Sequence, residues 1–161
     1  MLHRLDVALL RLLRTRGHQR PLERTAMRFT RLGEHGVLWY AVAAAGALLH
    51  TRRRPLYLRL ARAVFAGQVF NTLTKVAIGR RRPMLDDLPA LTPTVTTLSY
   101  PSAHATTSAV AATLLRDALP QTPLYICAGA MALSRPYLGV HYPSDTIGGV
   151  LLGGAVARLV P

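Results

Sequence analysis

Five apolar runs set between arginine clusters constrain this chain more than any other feature: residues 36–49, 56–78 (interrupted by Arg59, Arg62 and Gln68), 103–115, 122–133 and 146–160. Most fall short of the roughly 20 residues that a lone membrane-spanning helix needs. They are expected to tilt or borrow flanking residues, with arginine side chains reaching back to the interface. Charge placement supports this. The chain carries 20 Lys+Arg against 7 Asp+Glu, a formal net charge of +13, yet half of it is apolar and its mean hydropathy is +0.23. A nucleic-acid binder would spread its basic residues over a soluble face, whereas here they bracket apolar segments. Disorder is excluded by the apolar content, and a disulfide-stapled fold by the single Cys127. With 161 residues, one domain is expected over 1–161.

The N-terminal stretch 1–33 differs from the rest. Leu2, Leu5, Leu9, Leu12 and Leu13 recur at helical spacing while Arg4, Arg11 and Arg14 fall elsewhere, and a second such pattern follows Gly17 through Leu22, Phe29 and Leu32. A basic amphipathic pair of helices lying on the membrane surface is expected over 1–33. A secretory signal is not, because Arg11, Arg14 and Arg16 interrupt its apolar region. The fold class expected is therefore all-α: a membrane bundle of about five short transmembrane helices over 34–161, preceded by an interfacial segment.

Polar residues inside such a bundle are costly and mark function. Three clusters stand out: Lys75 with Gly79-Arg80-Arg81-Arg82-Pro83; Pro101-Ser102-Ala103-His104; and Ser134-Arg135 with His141 and Asp145. Five alternating crossings place all three on one membrane face, the face that also receives the N-terminal helices. Lys75, Arg82 and Arg135 then gather three cations without enough carboxylate to neutralise them, an arrangement that a phosphate would satisfy. Lys75 is the only lysine in the chain. Ser102 and the Ala103 amide lie at a helix start, where free N–H groups favour an anion. A neutral imidazole can attack phosphorus and a second, protonated one can donate to the leaving oxygen, roles open to His141 and His104. Asp145, one helical turn after His141, can orient its ring.

Lys75-x6-Arg82-Pro83, Pro101-Ser102-Ala103-His104 and Ser134-Arg135-x5-His141-x3-Asp145 resemble the three signature motifs of the type 2 phosphatidic acid phosphatases (PAP2), a superfamily shared with vanadium-dependent haloperoxidases. The resemblance spans residues 75–145, in the right order and spacing. It implies a helical bundle and a metal-independent phosphatase working through a phosphohistidine. It further implies His141 as nucleophile, Asp145 as its partner, His104 as general acid, and Lys75, Arg82, Ser102, Ala103 and Arg135 as the phosphate site, with no metal and no cofactor. Ala103 stands where the family more often has Gly; its backbone amide is retained. The Gly33-Glu34-His35-Gly36 stretch and Pro101–Thr106 are similar to the short actinobacterial members assigned to removing the 5-phosphate of decaprenylphosphoryl-5-phosphoribose. Undecaprenyl pyrophosphate, phosphatidylglycerophosphate and phosphatidic acid stay open as substrates, and a non-catalytic basic lipid-binding protein is the alternative of another class.

Expected partners are a lipid-phosphate substrate and membrane lipids, not nucleic acid; the oligomeric state is left open. Arg80 and Arg81 are expected to be membrane-edge anchors, Asp86 and Asp87 solvated residues of a long 84–100 loop, and Gly149 and Gly153 a helix-packing pair. Glu34 and His35 fall on the active face. That face holds 13 of the basic residues and the opposite face 7, which favours placing it on the cytoplasmic side of a bacterial plasma membrane.

Overall fold

The computed structural model describes residues 2–161, which form seven α-helices: α1 Leu2–Thr15, α2 Arg20–Arg31, α3 Val37–Leu49, α4 Arg54–Ile78, α5 Ala103–Leu115, α6 Gln121–Tyr137 and α7 Pro143–Leu159. No strand is present among the described residues, only an isolated bridge between Arg81 and Leu98. Helix ends follow local chemistry. Pro55 and Pro143 sit in the first turns of α4 and α7, where a missing N–H costs nothing. Gly79 ends α4 in the left-handed conformation at φ 66°, its amide returning to the Lys75 carbonyl, the usual way a glycine terminates a helix. Ser102 caps α5.

Each of the five apolar runs becomes one of the helices α3 to α7, and the two amphipathic patterns become α1 and α2. The number of membrane crossings is a separate matter. No single helix among the described residues is both long and apolar enough to cross a membrane; α3 and α5 have 13 residues, α6 and α7 have 17, and α4, with 25, carries Arg54, Arg59, Arg62 and Lys75. One bent pair passes by length and composition, α2 with residues 34–49, broken by 52°. The surface is nonetheless apolar on the bundle's flank. Leu58, Phe65, Val69, Leu73 and Val76 form an exposed stripe on α4, matched by Ile126 and Leu133 on α6 and Ile147, Val150 and Leu151 on α7. Such a belt is what a lipid environment covers.

The core lies in the half of the bundle away from the three polar clusters. Trp39, Tyr57, Leu60, Val64, Val110 and Leu115 pack there, and the Trp39 indole donates to Ser108 Oγ at 3.1 Å, tying α3 to α5. Arg59 closes the same end by donating from Nε and Nη2 to the carbonyls of Val160 and Ala157, among the last free acceptors of α7. The closest helix pair is α5 with α7. A Cβ on Gly149 would stand 2.5 Å from the Ser102 carbonyl oxygen and 2.9 Å from Ala105 Cβ; one on Gly153 would strike the Thr106 carbonyl and lie 2.9 Å from Ala109 Cβ. Because α5 begins and α7 begins at the polar clusters, this contact fixes the distance between two parts of the site.

Gly153→Ala should therefore force α5 and α7 apart at a cost of about 1–3 kcal/mol. Gly129 on α6 has nothing within 4 Å of its would-be Cβ. Gly129→Ala should accordingly be neutral or stabilising by up to about 1 kcal/mol. Thermal melting in detergent checks the pair; equal melting temperatures for the two variants would contradict the close packing.

Candidate active site

Five segments converge on a cavity of about 350 Å³: the 33–36 turn before α3, the last turns of α4, the 82–98 segment with the start of α5, the end of α6, and the turn into α7. Lys75, Arg82, Ala103, His104, Arg135 and His141 all line it. Ser102 and Asp145 lie directly behind, both fully buried. Every residue singled out by the motifs is thus brought to one place.

His141 sits in the short turn between α6 and α7, and its ring is fixed from both sides. Arg82 Nη1 donates to Nε2 at 2.9 Å. Ser99 Oγ gives its proton to Asp145 Oδ2, so that its oxygen is free to accept from His141 Nδ1, 3.3 Å away; Asp145 Oδ2 is 3.4 Å from the same nitrogen. A guanidinium has no acceptor, so Nε2 must present its lone pair and Nδ1 must carry the hydrogen. The nitrogen facing the cavity is thereby the unprotonated one. Burial pushes the His141 pKa down to about 3 against the opposing pull of Asp145, with Arg82, Arg135 and Lys75 adding to the fall. The imidazole is neutral across the physiological range.

The spacing of His141 and Asp145 has a local cause. Asp145 is the third residue of α7, and its Oδ2 reaches back to accept from the Tyr142 amide at 2.8 Å. The contact satisfies a donor at the helix start. One carboxylate caps the helix and holds the histidine.

The three cations keep unspent donors. Lys75 Nζ donates to the carbonyls of Ser99 at 3.2 Å and Pro101 at 2.6 Å, using two of its three hydrogens. Arg82 holds the Thr96 and Val140 carbonyls at 2.7 Å each. Arg135, buried in α6, donates from Nη1 to Thr30 Oγ1 at 2.9 Å while its Nε has no partner. Among the described residues, none of the three has a carboxylate within 4.0 Å. Burial lowers the Arg82 pKa to about 10, with Asp145 pulling the other way, and it stays charged at neutral pH. The first-turn amides of α5 add donors from the side of Ala103.

His104, in the first turn of α5, bonds the Thr30 carbonyl through Nε2 at 2.9 Å. A carbonyl only accepts, so that nitrogen carries a hydrogen. Gly33, beside Thr30, leaves the space that His104 occupies: a Cβ there would lie 2.5 Å from His104 Cδ2. Glu34 and His35 form the cavity rim, His35 at φ 51°, with Gln68 and Thr72 on the wall below. No group of three or more His, Cys, Asp or Glu able to hold a metal occurs among the described residues.

Several residues at the site carry no motif signal. Arg80, expected as a membrane-edge anchor, instead donates from Nη1 to Asp145 Oδ1 at 2.7 Å and from Nη2 to Asp6 Oδ2 at 2.8 Å, its guanidinium 4.1 Å above the Tyr142 ring. Its place in a run of three arginines hid it; Arg81 is exposed, as an anchor would be. Asp87 is exposed, as a solvated loop residue would be, and is also paired: Arg11 donates to it from both terminal nitrogens at 2.5 and 2.9 Å. Arg14 adds a bond to the Pro89 carbonyl, so α1 straps the 84–100 loop. Thr30 and Ser99, both fully buried, hold the ring of His104 and the dyad respectively. The sequence marks neither, since each is one hydroxyl residue among many.

Residues 56–161 match the PAP2 superfamily. The chain is 40% identical over 139 residues to decaprenylphosphoryl-5-phosphoribose phosphatase of Mycobacterium tuberculosis, covering 84% of this chain and 77% of that protein. It is 37% identical to the Mycolicibacterium smegmatis enzyme of the same name, covering 77% and 69%. Among solved structures it resembles the transmembrane PAP2 type phosphatidylglycerolphosphate phosphatase of Bacillus subtilis, with TM-score 0.80, 25% identity and coverage of 99% of this chain and 84% of that one. Aquifex aeolicus LpxE shares the fold at TM-score 0.83 and 23% identity, covering 97% and 94%. The family match across most of the bundle, together with these relatives, establishes that the chain belongs to the PAP2 superfamily of membrane phosphatases.

Proposed function

We propose that this protein is an integral-membrane phosphatase that removes the 5-phosphate from a polyprenyl-linked ribose 5-phosphate, decaprenylphosphoryl-5-phosphoribose. The observation that carries the catalytic reading is a neutral, oriented imidazole opposite three cations that lack carboxylate partners, one of them a buried arginine with an orphaned Nε. An unpaired buried donor is costly, and a bound phosphate supplies what it lacks. The substrate class rests on the mycobacterial relatives. The polar lining of Glu34, His35, Gln68 and Thr72 supports a hydroxyl-bearing head group.

The geometry supports the following course of reaction. His141 Nε2 attacks phosphorus as Arg82 turns from that nitrogen to the phosphate oxygens. A bond forms between Nε2 and phosphorus, and the phosphorus–oxygen bond to the head group breaks. His104, entering the step as the imidazolium, gives one proton to the departing oxygen and is left neutral. In the second step His104 takes a proton from water, whose oxygen displaces Nε2 and releases phosphate. Lys75, Arg82, Arg135 and the α5 amides stabilise the five-coordinate states. Asp145 keeps Nδ1 protonated and balances the charge on the phosphorylated ring.

In the cell the bundle would sit in the bacterial plasma membrane with residues 1–33 lying along one surface and 34–161 crossing it. The basic residues, 13 on the active face against 7 on the other, support a cytoplasmic opening.

Phosphate release from a panel of prenyl-phosphoryl ribose 5-phosphate, undecaprenyl pyrophosphate, phosphatidylglycerophosphate and phosphatidic acid tests the proposal directly. The first should be preferred, and His141→Ala should reduce turnover by at least about a thousandfold. Retained activity in that variant would reject the nucleophile; preference for another lipid would reassign the substrate. No release from any, with lipid binding intact, would favour a non-catalytic role.

Two further expectations concern the chemistry. Activity should survive excess EDTA and fall with vanadate, which adopts the five-coordinate geometry of the transition state; a strict Mg²⁺ requirement would exclude the metal-free route. His104→Ala should cost about 10²–10⁴-fold on alkyl phosphates and far less on a nitrophenyl phosphate whose leaving group needs no proton. Equal losses on both would reject His104 as the acid.

A further inference from the structure

We propose that Asp6, carried on α1, sets the charge and position of the catalytic pair by acting through Arg80 on Asp145. The proposal rests on His141 being the nucleophile.

Asp6 is the only acid in α1, whose other charges are Arg4, Arg11 and Arg14. An isolated surface helix gains nothing from burying its one carboxylate, yet Asp6 is only 7% exposed. Its Oδ1 accepts from the Ser144 amide at 3.0 Å and its Oδ2 from Ser144 Oγ and from Arg80 Nη2 at 2.8 Å. The amide it satisfies lies in the first turn of α7, a donor with no partner in its own helix. Arg80 spends its other terminal nitrogen on Asp145 Oδ1 and Ser144 Oγ. One guanidinium thus bridges two carboxylates through separate nitrogens, held against the Tyr142 ring.

The charge count gives this bridge a role beyond packing. Arg80 paired with Asp145 alone would form a neutral couple beside His141. Neutrality is the wrong condition there. When Nε2 bonds to phosphorus while Nδ1 keeps its hydrogen, the ring becomes cationic and needs a net negative neighbour. Asp6 draws on the same guanidinium, so the trio Asp6, Arg80 and Asp145, two carboxylates and one cation, is net negative toward the ring. Opposite it stand the cations Lys75, Arg82 and Arg135, which face the phosphate. Burial raises the Asp6 pKa, but the Ser144 hydroxyl and amide and Arg80 outweigh it and hold the carboxyl below its ordinary range, so it is ionised at neutral pH. Asp6 is a positioning residue; it touches neither the imidazole nor the cavity.

Turnover of the detergent-solubilised full chain should separate this role from simple anchoring of α1. With the preferred lipid phosphate, Asp6→Asn should lower kcat about 10–100-fold, the cost typical of losing a partner that holds a reacting group's own support, with KM little changed. Asp6→Glu should recover much of the loss by restoring the charge. Arg80→Lys, whose single ammonium cannot grip both carboxylates through separate nitrogens, should resemble Asp6→Asn. The double variant should be little worse than either single one, because both act through one bridge. If Asp6→Asn does not yield folded protein, Arg80→Lys decides by the same criteria. An unchanged kcat in Asp6→Asn beside an inactive His141→Ala overturns the inference while leaving the nucleophile in place. Equal defects in Asp6→Asn and Asp6→Glu, with both melting early, also overturn it. An active His141→Ala would remove the reading on which it depends.

Discussion

One buried carboxylate organises the active half of this molecule. Asp145 has no solvent exposure, and its two oxygens accept from Arg80, the Tyr142 amide and Ser99, with His141 Nδ1 alongside. An ionised carboxylate in such a place is tolerable only with this many donors, since an unpaired one would cost several kcal/mol. The donors come from three stretches of chain: the segment after α4, the end of the 84–100 loop and the α6–α7 turn. Removing the carboxylate would release all of them. The chemistry and the architecture of this region therefore share a residue.

The cationic side of the cavity obeys a different rule. Lys75, Arg82 and Arg135 repel one another, and their hydrogen bonds to carbonyls and to Thr30 compensate only in part. The structure carries this local destabilisation on a scaffold made rigid elsewhere: the Trp39 and Tyr57 core, the Arg59 cap on α7 and the close α5–α7 approach at Gly149 and Gly153. Stability is concentrated at one end and electrostatic tension at the other. That division is what the proposed phosphate site would require.

Most of the bundle was legible in the sequence because its helices are bounded by residues with local physical meaning. Pro55, Gly79, Ser102 and Pro143 punctuate the chain where the helices begin or end, and the motif residues fall at those boundaries. The count of crossings was not legible to the same degree. The short helices α3, α5, α6 and α7 lie below the length at which hydropathy alone identifies a span, and only packing tells whether they cross. The site shows the same contrast. The motif residues that line the cavity or lie behind it stood out by type and spacing; those that hold them did not. Arg80 was concealed among Arg81 and Arg82, and Thr30 among the polar residues of an amphipathic helix. Asp6 left one faint mark, an acid in a helix whose other charged residues are all basic, which an amphipathic pattern assigns to solvent. Tertiary pairing over 74 positions, from Asp6 to Arg80, has no local signature.

The N-terminal helices consequently have two faces with different duties. On α1, Leu5, Leu9 and Leu12 are exposed, while Leu10 is buried, Asp6 reaches the dyad through Arg80, and Arg11 and Arg14 grip the 84–100 loop. On α2, Thr30 meets His104, Ser134 and Arg135 from within. A helix that only floated on a membrane would not place its polar groups inward against the cavity wall. A helix that only completed the wall would not leave a leucine stripe outside. Both features together give α1 an outer leucine face and an inner face that reaches Asp145 through Arg80. The contacts run in one line from the outer face to the dyad: Leu9 and its neighbours outside, Asp6 within the same helix, then Arg80 and Asp145.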